Sequence, residues 1–167
     1  GDWPGARLQF ASLLRSEDPW LRETSQYMLA RLEINAAIDG AFDEWGDFEG
    51  TDKADQEAVR AAQRGFDDYL SAWPDGRYAA SARGLKRRAW WVGGDVRALA
   101  GEYERLLGSA AADARTAAAL VDEVDNKLLF PTWRSKPVTG AVDGPLLLAA
   151  LALLRMRSDP YSRDEQM

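Results

Sequence analysis

Residues 59–94 read VRAAQRGFDDYLSAWPDGRYAASARGLKRRAWWVGG, and their apolar spacing decides the fold class. In the second half, Tyr78, Ala82, Leu85, Ala89 and Val92 recur every three or four residues, the repeat of one helix face, over about Tyr78 to Val92. Gly93-Gly94 closes that helix, because glycine enters the left-handed turn that ends a helix without steric cost. In the first half, Val59, Ala62, Phe66, Tyr69 and Trp73 keep the same period across about Lys53 to Trp73. Pro74-Asp75-Gly76 stops it, since proline cannot continue the hydrogen-bond ladder. Two helices joined by so short a turn form an antiparallel hairpin.

The same reading extends outward. Asp95 is a good N-cap for a segment through about Gly108, with Leu99, Tyr103 and Leu106 on its apolar stripe, and Ala117, Leu120, Val124 and Leu128 mark a helix over Ala111 to Leu129. Towards the N-terminus, Pro4 to about Arg15 presents Ala6, Phe10, Leu13 and Leu14, and Asp18-Pro19 opens a longer helix over Trp20 to Ile38. Pro145 to Met156 is leucine-rich nearly all round, so neighbours are expected to bury it; twelve residues are too few to span a bilayer. Alternating Val, Ile and Thr runs are absent. The expectation is an all-α chain of about seven antiparallel helices, one domain over 1–167, interrupted by an acidic loop at 39–52 and an irregular loop at 130–144.

Composition removes many function classes. With 46% hydrophobic and 29% charged residues, the 167-residue chain falls in the globular range and is long enough to bury a core without staples. No cysteine and no histidine means no thiol nucleophile, no Ser-His or Cys-His triad and no histidine-centred metal site. A net charge of −6 opposes a nucleic-acid partner, whose binding rests on neutralising phosphates. The basic cluster Arg77, Arg83, Lys86, Arg87 and Arg88 with its tryptophans raises that class, but the acidic total and Asp67-Asp68 on the preceding helix count against it. No phosphate loop, nucleophile elbow or dinucleotide fingerprint is present, so no cofactor is expected.

Self-similarity is the next signal. Gly1-Asp2 is followed by Ala6, Phe10 and Leu13-Leu14; Gly94-Asp95 is followed by Ala98, Tyr103 and Leu106-Leu107; Ala62, Phe66, Tyr69-Leu70 and Pro74 keep the same order. This order resembles the second helix of a tetratricopeptide repeat, and Tyr78 to Gly94 resembles the first helix of such a unit. The stretch Tyr69-Leu-Ser-Ala-Trp-Pro-Asp-Gly-Arg-Tyr-Ala-Ala-Ser-Ala82 is similar to the bacterial cell-envelope branch of the family, including the outer-membrane-assembly lipoprotein type. The likeness is clearest over residues 57–107. Leu99 in place of a small residue, no Pro after Leu107 and a long loop after Ile38 make the repeats degenerate. Leu153-Leu154 followed by Ser158-Asp159-Pro160-Tyr161 mirrors Leu13-Leu14 and Ser16 to Trp20, so 145–167 reads as the opening of a further, truncated repeat. With its start at Gly1-Asp2, this reads as a fragment of a longer superhelix.

What the resemblance implies is a tetratricopeptide-like α-solenoid acting as a non-catalytic scaffold for a protein or peptide, in the periplasm or cell envelope. Composition alone is equally compatible with the cytoplasm. The alternative is an accessory superhelical domain of a larger enzyme whose catalytic residues lie outside this stretch. In the family the first helix of each unit lines the concave groove. That places Arg83, Arg87, Trp90 and Trp91, off the apolar stripe, at or near groove positions. Guanidinium beside indole suits a peptide carrying carboxylates or aromatic rings.

Two further constellations have structural readings. Arg31 and Asn35 fall in the apolar sector of Trp20, Tyr27, Met28, Ile34 and Ile38, where they need partners; a ligand could supply them, but an internal carboxylate such as Glu23, Asp43 or Glu44 is the favoured reading. The run Asp39, Asp43, Glu44, Asp47, Glu49, Asp52, Asp55 has no register that satisfies a calcium loop, so no metal is expected. Interleaved Phe42, Trp45 and Phe48 are expected to pin this loop to the helices, with the acids outside.

Overall fold

The computed structural model describes residues 2–110, 114–129 and 143–157. Among them lie seven α-helices and no strand, so the chain is all-α. No helix among the described residues is long and apolar enough to cross a membrane. The chain divides into two compact units, Gly1–Asp95 and Val96–Met167.

The first unit holds α1 (Trp3–Leu13), α2 (Pro19–Ala37), α3 (Gln56–Ala72) and α4 (Ala79–Gly93). Three of the four start on an aspartate whose carboxylate takes the first free N–H groups: Asp2 from Gly5, Asp18 from Trp20, and Asp55 from Glu57 and Ala58. The fourth ends on Gly94, left-handed at φ 73°, whose N–H returns to the carbonyls of Trp90 and Trp91.

Specific contacts fix the helix directions. Trp3 donates its indole N–H to Asp39 at 3.0 Å and Arg7 grips Glu33 through two bonds of 2.8 Å, so α1 and α2 are antiparallel. Glu23 meets Tyr69 at one end of the α2–α3 pair, and the Asp55 N–H meets the Ala37 carbonyl at the other. Gly65 stands against Ala30 midway, where an added methyl would lie 2.8 Å from the Ala30 Cβ; the close crossing requires glycine. Lys86 pairs with Asp67 and Gly93 lies over Val59, making α3 and α4 antiparallel as expected. By contrast α2 and α4 run parallel: Thr24 reaches Tyr78 and, one turn on, Tyr27 reaches Ser81, with the Tyr27 and Tyr78 rings stacked at 4.5 Å and 7°. Tyr27, Ala30, Ile34, Val59, Ala62, Phe66, Tyr69, Ala82, Ala89 and Val92 form the core between these helices.

The second unit contains α5 (Val96–Ala110), α6 (Ala114–Val124), which continues as a wider π-helical turn over Asp125–Leu129, and α7 (Pro145–Arg157). Among the described residues, Leu99, Ala100, Tyr103, Leu120, Val124, Leu128, Leu147 and Leu151 are its buried side chains. Glu104 on α5 takes the N–H groups of Leu146 and Leu147 at 3.0 and 2.9 Å and so caps α7 with a carboxylate. The sequence led to an α7 buried on all sides. Instead Leu147 and Leu151 are buried while Leu146, Leu148 and Leu153 are 43%, 49% and 58% exposed. Among the described residues, neighbours cover one stripe of the helix. Most of the irregular loop at 130–144 and the end of the expected further repeat, 158–167, lie outside the described residues.

A candidate binding face on helix α4

Helix α4 is positioned by its small residues. Ala79, Ala82, Ala89 and Val92 are buried and commit one stripe to the core, which leaves Arg83, Lys86, Arg87, Arg88, Trp90 and Trp91 to emerge elsewhere. Arg83 is exposed and reaches back to donate to the Pro74 carbonyl at 2.7 Å, tying the helix to the preceding turn. Arg87, one turn on, is partly buried. Trp90 sits under Lys86, whose ammonium lies 4.8 Å from the ring centroid and is also paired with Asp67 on α3. Trp91 turns the other way. It packs on Phe48 at 4.6 Å between ring centroids and joins the edge of the core. The four residues singled out from sequence are thus on one helix but divided: the two arginines line up along it, Trp90 leans towards α3, and Trp91 is covered by the acidic loop.

That loop is a small hairpin. Phe42 and Phe48 pair across it, Asp43 and Asp47 share a backbone bond, and the Asp43 carboxylate takes the N–H groups of Trp45 and Asp47 at 3.0 and 2.9 Å. Gly46, at φ 84°, makes the reversal. Phe42 and Phe48 pin the loop as the spacing implied. Trp45 does not: at the tip it is 83% exposed. Among the described residues no group of three or more acidic side chains is gathered to hold a metal. The Arg88 guanidinium lies 5.8 Å from the Phe42 ring centroid, and its Nε is shielded from water with no hydrogen-bond partner among the described residues.

Behind α4 the α3–α4 turn is fastened by a buried polar network. Glu23 accepts from the Tyr69 hydroxyl at 2.8 Å and from the Arg77 N–H at 2.5 Å, while the Tyr69 oxygen accepts the Tyr78 N–H at 3.0 Å. Burial and the bond to Glu23 push the Tyr69 hydroxyl up to about 12, so it stays a donor. The structure corrects the expectation that Arg31 sits in the apolar sector and pairs with an internal carboxylate such as Glu23, Asp43 or Glu44. Arg31 is exposed, and the Glu23 carboxylate serves the turn.

Sequence reasoning missed a recess elsewhere in the first unit. A groove of about 650 Å³ opens among α1, α2 and α3, with Ala11, Ala30, Ala61 and Gly65 among its small lining residues and Arg7, Glu33, Arg64 and Asp68 at its charged positions. Only the small residues hinted at it, and which helices they bring together is a property of the fold. No family model, curated protein or solved structure matches the chain.

Proposed function

We propose that the chain is a non-catalytic, tetratricopeptide-like scaffold whose α4 face holds a partner peptide rich in carboxylates and aromatic rings. The observation that carries this reading is the cationic strip of α4, where Arg83 and Arg87 stand one turn apart, off the stripe that the core uses, on the helix that also carries Trp90 and Trp91. Planar guanidinium groups pair with carboxylates in two-bond geometry and stack on rings, which lysine does less well. The helix order supports the repeat-like part of the reading. In the first unit α2 and α4 run parallel and adjacent, and each is antiparallel to α3, the relation expected of successive two-helix repeats. A solenoid continuing through the second unit and a cell-envelope location remain parts of the proposal that rest on the resemblance of Tyr69 to Ala82.

The test is fluorescence anisotropy with a labelled peptide of alternating Asp and Phe, beside a control in which Lys replaces Asp. Wild-type protein should prefer the acidic peptide, and Arg83→Ala combined with Arg87→Ala should weaken it by about tenfold or more, the effect of losing roughly 1.4 kcal/mol. Equal binding by wild type and double variant removes the site.

A further inference from the structure

We propose that the hairpin Ala41–Glu49 is an internal ligand of the α4 face: it occupies part of the peptide site, and the external partner is a segment of the same aromatic and acidic chemistry that displaces it. This rests on the reading of α4 as a peptide-binding face and names the ligand class and the regulation of that face.

Residues 42–49 read FDEWGDFE, three aromatic and four acidic side chains in eight positions. That is the composition to which guanidinium and indole groups are suited, and the structure places it on those groups. Phe48 lies on Trp91, the Arg88 guanidinium stands over Phe42, and the two phenylalanine rings are 5.5 Å apart as cross-hairpin neighbours. The hairpin is closed on itself by Asp43, is anchored at its base by Ala41, which is buried in the core, and beyond that base meets α4 through the Phe42 and Phe48 rings. Two features make this contact replaceable. Among the described residues the Arg88 Nε is taken from water with no acceptor supplied in return, so a segment that brings a carboxylate to it gains a bond that the hairpin leaves unmade. Trp45, 83% exposed, contributes nothing to holding the hairpin down.

The experiment uses a synthetic peptide of sequence AFDEWGDFE, its counterpart with Lys at every acidic position, the wild-type protein and Phe42→Ser/Phe48→Ser. The double variant, checked for unchanged helical circular dichroism, should bind the acidic peptide about tenfold more tightly than wild type, because no internal competitor remains. In wild type, saturating peptide should speed hydrogen exchange at the Trp45 and Asp47 amides, since a two-stranded hairpin off its support does not hold its bonds. The exchange measurement stands alone if the double variant does not fold. A folded double variant that binds no more tightly than wild type overturns the inference, as does unchanged exchange at millimolar peptide. An acidic peptide that binds wild type through Arg83 and Arg87 without deprotecting the hairpin overturns the internal ligand and leaves the scaffold reading in place.

Discussion

Two connections of the first unit solve the same problem in opposite ways. The α3–α4 turn, Trp73 to Tyr78, is short and wired into the interior: Glu23 holds the Arg77 N–H and the Tyr69 hydroxyl, and Tyr69 holds the Tyr78 N–H. The α2–α3 loop is long and bonds mainly to itself; Ala41 and Ala54 anchor it in the core, Asp39 accepts from Trp3, and its hairpin meets α4 through the Phe42 and Phe48 rings. Buried hydrogen bonds are costly to leave unmade, whereas half-buried rings slide and separate at moderate cost. The first connection therefore sets where α4 lies, while the hairpin of the second reaches that helix through rings that separate at lower cost.

The largest effect that tests this contrast is Glu23→Ala. It strands the Tyr69 hydroxyl and the Arg77 N–H inside the protein, and each stranded group costs about 1–3 kcal/mol. A loss of about 3 kcal/mol and a melting point lower by about 10–20 °C are expected for a unit of this size. A change below about 1 kcal/mol would show that water reaches the turn and that the network is not what fixes it.

Titration gives the next effect. Tyrosine in an unfolded chain loses its proton near pH 10, while folded Tyr69 keeps it to about 12. A raised folded-state value means that the native protein binds more protons in that window. The stability from this group is complete below pH 10 and is lost as pH climbs towards 12. Urea midpoints should fall more steeply across that window in wild type than in Tyr69→Phe. Parallel slopes would contradict the raised value.

The legible and illegible parts of the sequence divide along the same line. Helix ends were readable because Asp18, Asp55 and Gly94 carry local chemistry that acts within three residues. The α3 and α4 stripes were readable because Phe66, Tyr69, Leu85 and Val92 are large enough to show the period. On α2 the buried Tyr27 and Ile34 were readable, but adding Trp20, Met28 and Ile38 to their stripe took in Arg31, whereas Trp20 and Arg31 are exposed and Ala30 and Ala37 complete the buried face. Glu23 and Tyr69 are 46 positions apart, and only the crossing of α2 with α3 brings them together. In the loop, three aromatics at intervals of three suggested a common face, but the reversal at Gly46 sends Trp45 to the tip while Phe42 and Phe48 pair beneath. Arg83 and Arg87 could be placed on α4, whereas the cover over Trp91 could not, because it comes from a segment that no helical period describes.

A smaller effect is expected in the loop itself. Phe48→Ala removes a half-buried ring, so a cost of about 1–2 kcal/mol is expected against about 3–5 kcal/mol for a fully enclosed phenylalanine such as Phe66. Equal losses at the two positions, read from urea midpoints, would place the hairpin in the core and erase the distinction between the two connections.

The smallest effect belongs to Trp45→Ala. At 83% exposed the indole has little to lose on truncation, and the hairpin's own bonds come from the Asp43 carboxylate and backbone, which the substitution leaves in place. Stability should move by no more than about 0.5 kcal/mol, the usual range for a surface change. The difference spectrum, wild type minus variant, should show the red-shifted fluorescence of an indole in water. A loss comparable to that of Phe48→Ala, or a blue-shifted difference, would mean that the tip folds down onto the protein in solution. The loop would then be held by three rings rather than two, and the ease with which a competing segment lifts it from Trp91 would shrink accordingly.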